Sequence, residues 1–162
     1  MRISEGVEWA LHSCVLLGLL PPDVSLPAAR LAEFHDVPPA YLAKHLQALS
    51  AVGIVASVPG PKGGYRLAKP AEQISVLDVV LAVDGPEPAF RCTEIRRAGP
   101  AACPPSAYRH PCTITTVMGR AEQAWRAELR AQTVADLIHG LGQNVDVRAA
   151  RKAAAWFQEV IR

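Results

Sequence analysis

Two groups of residues in this chain carry metal-binding chemistry. Glu8 and His12 lie four residues apart in "VEWALHSC". On a helix they would share one face, one turn apart. Cys92, Cys103 and Cys112 fall in a second stretch, rich in proline and glycine, with His110 beside the last of them. Thiolate, imidazole and carboxylate together make a donor set for a transition metal. Zinc sites usually show CxxC pairs, and the sequence has none. Wide spacing suits a loop that wraps something larger than one ion. Iron–sulfur clusters take four ligands, normally thiolates, and the loop supplies three. The plainer readings stand beside this one. Glu8 and His12 make an ordinary surface pair worth a few tenths of a kcal/mol, and the loop cysteines serve as unligated thiols. Cys14, inside an apolar run, reads as a small core residue.

The elements that must position these groups are mostly helical. A first helix spans about residues 3–20 and stops at Pro21-Pro22. Ser25 reads as a cap and Pro27 as an early residue of a second helix, which runs to about His35. "HDVPP" breaks the chain. A third helix, about Pro39 to Ala51, carries Leu42, Leu46 and Leu49 on one stripe, and Gly53 ends it. Two β-prone runs, 54–58 and 65–68, flank a turn of glycine and proline, which is a hairpin signal. A further helix starts at the cap Ser75, with Asp78 three residues on, and ends near Val83. The fold class that follows is mainly α with a small β-hairpin wing. It comprises a winged helix-turn-helix domain (1–83), a cysteine loop (84–113), a long dimerisation helix (114–141) and a C-terminal helical extension (142–162). At 1.5 Å per residue the long helix would span about 40 Å. That outgrows so small a domain and predicts packing against a second copy.

In a winged helix the third helix enters the major groove. Its exposed positions here are Ala40, Tyr41, Lys44, His45 and Gln47. Lys62 stands at the tip of "PGPKGG", Arg66 and Lys69 at the wing base, and Arg30 on the second helix within reach of a phosphate. Taken alone, such a helix face is also an ordinary solvated one. The chain has 162 residues, half of them hydrophobic, and a net charge of +2. DNA binding would then be of moderate affinity with a shallow salt slope. No apolar run is long enough to cross a membrane. The acids that precede the first apolar run argue against a secretory leader, so a cytoplasmic protein is expected. There is no Gly-x-Ser-x-Gly, phosphate loop or dinucleotide fingerprint, so no enzyme is expected. An electron carrier would have no use for a glycine-rich wing.

"VPPAYLAKHLQALSAVGIVASVPGPKGGYRLAKP", "ISVLDVVLAVDGP", the cysteine loop and "TVADLI" together resemble the Rrf-type (IscR/NsrR) iron–sulfur transcription regulators, up to about Gly140. The wing "GPKGGYRL" followed by "DVVLAVDG" is the most specific part. The resemblance implies a winged-helix homodimer with crossed long helices, whose cluster state controls binding to a pseudo-palindromic double-stranded DNA operator. The family often has an arginine just before the wing glycines. Here that position is Pro59, which leaves Lys62 to supply the charge. The loop cysteines are also spaced more widely than usual.

"GVEWALH" and "AFRCTEIR" are similar to a redox-regulating subgroup of the family. That similarity implies a [2Fe–2S] cluster held by Glu8, His12, Cys92 and Cys112, with the two pairs free to come from different subunits. Cys103 is the competing ligand. The expected function is a repressor that senses redox or nitrosative state. The alternatives are a cluster-free regulator that senses by cysteine oxidation or a small ligand, and an iron–sulfur electron carrier. Two thiolates, a carboxylate and a neutral imidazole leave the oxidised site at about −1, against about −2 for four thiolates. The potential should therefore lie above an all-cysteine cluster and below a two-histidine Rieske site. Acid should weaken the site, because the imidazole must coordinate unprotonated.

Overall fold

The computed structural model describes residues 3–60 and 63–161. Lys62, the expected wing-tip cation, lies outside the described residues. Helix α1 (Glu5–Gly18) opens with Glu5 and Glu8 in its first turn, where acids complement the helix dipole. Its inner face buries Val7, Ala10, Cys14, Leu16 and Leu17. Helix α2 (Ala28–His35) starts after Pro27, later than a cap at Ser25 would place it. The reason is Leu26, which pairs as an isolated bridge with Tyr65 and so belongs to the wing. Helix α3 (Pro39–Ala51) begins on a proline at its first turn and buries Leu42, Leu46 and Leu49 completely.

Strands β1 (Val55–Val58) and β2 (Gly64–Leu67) pair antiparallel, with Val55 opposite Leu67 and Val58 opposite Gly64. Leu26 and Tyr65 exchange both backbone hydrogen bonds, at 2.9 and 2.8 Å. A Cβ at Gly64 would lie 2.2 Å from the Leu26 carbonyl carbon. Only glycine permits that approach, so this wing glycine serves the packing of the hairpin on the body. Helix α4 (Val76–Asp84) is started by a capping box between Ser75 and Asp78, as the sequence predicts.

The single helix expected over 114–141 is two helices, α5 (Thr113–Ala131) and α6 (Val134–Asn144). Gln132 is extended, and Thr133 forms a second capping box with Asp136. The break is held from outside. The Gln132 carbonyl accepts from Val76 N–H and Val134 N–H donates to Ile74 O, both at 2.8 Å. Val134 is fully buried in the main core. Helix α7 (Val147–Val160) folds back on α2, where Phe34 meets Trp156 at 4.8 Å and Phe157 at 5.9 Å between ring centroids.

One apolar core joins α1, α2, α3, the wing and α6. A smaller cluster of Val7, Val76 and Val80 receives Trp125 and Leu129 of α5. The first half of α5 is different. Ile114 is 61% exposed, Val117 47% and Met118 40%, at helical spacing along one stripe. Among the described residues, no helix is long and apolar enough to cross a membrane.

Candidate DNA-binding face and metal-ligand groups

Helix α3 presents Tyr41, Lys44 and Gln47 to solvent, and Tyr41 is 63% exposed. The buried leucines on the opposite side fix that face outward. Arg30 is exposed on α2 and forms an ion pair with Glu33 at 2.6 Å. Arg66, half-buried at the wing, donates to the Leu67 carbonyl at 3.5 Å. His45 turns the other way. Its ring lies against the first turn of α1, where a Cβ at Gly6 would stand 2.3 Å from His45 Cε1. It also meets the Trp9 ring edge to face at 6.0 Å. Burial lowers the His45 pKa, the Lys44 charge adds to this, and Asp84 opposes it. His45 thus joins the recognition helix to the helix that carries Glu8 and His12. Sequence reasoning missed this contact; Gly6, on an otherwise apolar helix face, was its only trace.

Glu8 and His12 are both exposed on α1. They border an apolar groove of about 580 Å³ lined by Leu11, Val15, Val80, Leu129, Leu137 and Leu141. His35 of α2 stands 5.4 Å from the His12 ring. Its Nε2 is buried without a hydrogen-bond partner. Burial is the main cause of its lowered pKa, helped by His12 and opposed by a hydrogen bond with the His12 backbone. Sequence reasoning placed His35 only at the end of the second helix and did not single out this second imidazole.

The cysteine loop gathers around Arg96. Glu94 N–H donates to Cys92 Sγ at 3.3 Å. The Glu94 carboxylate holds Arg96 through both Nε and Nη2, the latter at 2.9 Å. Arg96 in turn donates to the His110 carbonyl at 3.3 Å. Cys112 is the N-cap of α5. Its thiol is held below the ordinary value by the backbone N–H groups of Thr115 and Ile114 and then by the Arg96 charge. The Arg96 guanidinium interacts electrostatically with both Cys112 and Cys92.

Cys103 is exposed, and its sulfur lies 3.7 Å from the Ala101 carbonyl. Arg96 thus stands between the segments that carry Cys92 and Cys112, and Cys103 joins this network through its backbone N–H. Cys14 is fully buried and its thiol is pushed up to about 12, which makes it inert. Among the described residues, no three metal-binding side chains converge within one chain. Glu8 and His12 on α1 and Cys92 and Cys112 at the ends of the loop thus remain two separate pairs within one chain.

Comparison with known proteins agrees with the winged-helix fold. The Rrf2 family model, described as an iron-dependent transcriptional regulator, matches residues 3–140. The putative HTH-type transcriptional regulator YwgB of Bacillus subtilis is 30% identical over 147 residues, which cover 91% of this chain and 90% of that one. Among solved structures, IscR of T. potens superposes with a TM-score of 0.69 at 18% identity, over 91% of this chain and 93% of that one. The oxidised form of Staphylococcus aureus CymR superposes with a TM-score of 0.63 at 25% identity, over 85% and 96%. Helix α7 lies beyond the matched family region.

Proposed function

Because the chain belongs to the Rrf2 family of transcriptional regulators and has their winged-helix fold, we propose that it acts as a homodimeric repressor that senses redox or nitrosative state through a [2Fe–2S] cluster. In this reading Tyr41, Lys44 and Gln47 of α3, with Arg30 and the wing residues Lys62 and Arg66, contact a pseudo-palindromic operator. The exposed stripe of α5 and the groove beside α1 are the surfaces that a second copy covers. A cytoplasmic site of action accords with this role.

The split donor set carries the proposal. Cys92 and Cys112 supply one half-site, and Glu8 and His12 supply the other. The donor chemistry fits a cluster with mixed ligands: a lowered thiol at a helix N-terminus, a second thiol held by a backbone N–H, and an exposed carboxylate and imidazole one turn apart. The cluster would supply a one-electron couple. What the chain supplies is the path from that couple to DNA. Any shift of α1 presses on His45 through Gly6 and Trp9, and His45 sits on the recognition helix.

The test uses mixed dimers. One chain carries Glu8→Ala and His12→Ala, and its partner carries Cys92→Ser and Cys112→Ser. If each cluster spans two chains, the mixed dimer completes one of its two sites. It then holds about half the wild-type iron and visible absorbance, in protein purified without oxygen. No iron in the mixed dimer, with full loading of the wild type, would sink the shared site. Lys44→Ala should weaken operator binding evenly across sequences and lower the salt slope by about 1.

A second reading has its own support. A thiol lowered at a helix N-terminus is also a reactive thiol, so a cluster-free regulator would sense through Cys112. Colourless protein with a full complement of free thiols, bound to DNA in a thiol-dependent way, would select that reading.

A further inference from the structure

The loop between Cys92 and Cys112 has almost no apolar packing, yet its ends are tied together. We infer that Arg96 is the positioning residue that clips the two thiol-bearing segments into one dithiol site. The chain of contacts is continuous. Cys92 Sγ accepts from Glu94 N–H, the Glu94 carboxylate grips Arg96, and Arg96 reaches the His110 carbonyl, two residues before Cys112. Glu94 has φ 52° and ψ 50°, a left-handed conformation that a glutamate adopts only when its surroundings hold it there. Its fork-to-fork pair with Arg96 does so.

Tyr108 steadies the clip from the other side. Its hydroxyl donates to the Arg96 carbonyl and accepts from Cys103 N–H at 3.0 Å, and its ring lies 5.3 Å from the guanidinium carbon. Cys103 thereby serves through its backbone and not its sulfur. Lysine could replace the charge of Arg96 but not its fork.

The inference rests on reading Cys92 and Cys112 as the loop's ligand pair, and metal-free protein tests it apart from any cluster. Phenylarsine oxide condenses with two thiols held close together. Two As–S bonds form, the oxide oxygen leaves as water with the two thiol protons, and nothing is oxidised. Full-length metal-free protein with Cys103→Ser should bind one arsenical per chain. Adding Arg96→Gln should weaken binding at least tenfold, and Arg96→Lys should fall between.

A second readout separates charge from clip. In cluster-loaded protein, Arg96→Gln should lower the midpoint potential, because a positive charge beside the site favours the added electron, and Arg96→Lys should keep it. Equal arsenical affinity with Arg96→Gln would overturn the clip. No arsenical binding even with Arg96 present would overturn the pairing of Cys92 with Cys112, and the clip with it.

Discussion

The winged-helix head and the cysteine loop are built by different physics. In the head, Leu31, Leu42, Leu46, Leu49, Ile54 and Ile74 are buried within about 1% of full burial. In the loop between α4 and α5, no described residue is buried. Its order comes from charge-assisted pairs, a cation–π contact and a few backbone bonds. A dry core fixes geometry by excluding alternatives. A polar, solvated loop holds its geometry more weakly and can therefore change it. The proposed sensor would need both, a rigid reader and a loop whose arrangement a cluster completes.

The strongest way to break this comparison is to attack the head. Leu46→Ala removes a fully buried side chain between α3 and the body. It should cost about 2 to 5 kcal/mol, read as a lower denaturant midpoint with loss of operator binding. If the loss is under about 1 kcal/mol, the head is not the rigid half of the molecule. Gly64→Ala should come next. Its Cβ would collide with the Leu26 backbone, which cannot rotate away. A loss of about 1 to 3 kcal/mol is expected, with the Leu26–Tyr65 bridge opened, and amide exchange at Tyr65 would report it. A neutral result would mean the wing rides loosely on the body.

The same contrast explains what the sequence disclosed. Helix α3 was legible because Leu42, Leu46 and Leu49 repeat at helical spacing and proline opens it. The hairpin was legible because glycine and proline punctuate two β-prone runs. The break between α5 and α6 was hidden by apolar residues that continue on both sides of it. Its cause is the tertiary pairing of Gln132 and Val134 with Val76 and Ile74, although Thr133 and Asp136 already stood at capping-box spacing. At the candidate site the family resemblance implied the ligand set, and residue types only drew attention to the cysteines and the α1 pair. They did not name Arg96, because a polar clip leaves no periodic trace. They also placed His45 with the DNA contacts, whereas its ring faces α1, a direction that only the packing of two helices decides.

A smaller effect sharpens the comparison at the C-terminus. Trp156 and Phe157 of α7 pack on Phe34 from outside the family region, and both aromatic rings remain partly exposed. Trp156→Ala should cost about 1 to 2 kcal/mol, the range of an ordinary destabilising substitution. Operator affinity at low temperature should be unchanged. A large loss of affinity would make α7 part of the reader and not a brace behind α2.

The smallest effect lies in the loop and is read by pH. In metal-free protein the Cys112 thiol is stabilised as thiolate, first by the Thr115 and Ile114 N–H groups and then by Arg96. Its folded pKa is depressed, so the sign follows that of a stabilised anion. Its contribution to stability is present above the unfolded thiol pKa and is lost as pH falls through the lower folded value. Partial exposure to solvent keeps that contribution slight. The useful readout is reactivity. Alkylation of Cys112 by iodoacetamide should follow a pH profile displaced below the ordinary thiol value, and Arg96→Gln should move it only part of the way back, because the helix N–H groups remain. A full return on removing Arg96 would make the guanidinium, and not the α5 N-terminus, the main support of the thiolate. The polar loop would then hang on a single side chain, where the head is spread over a core.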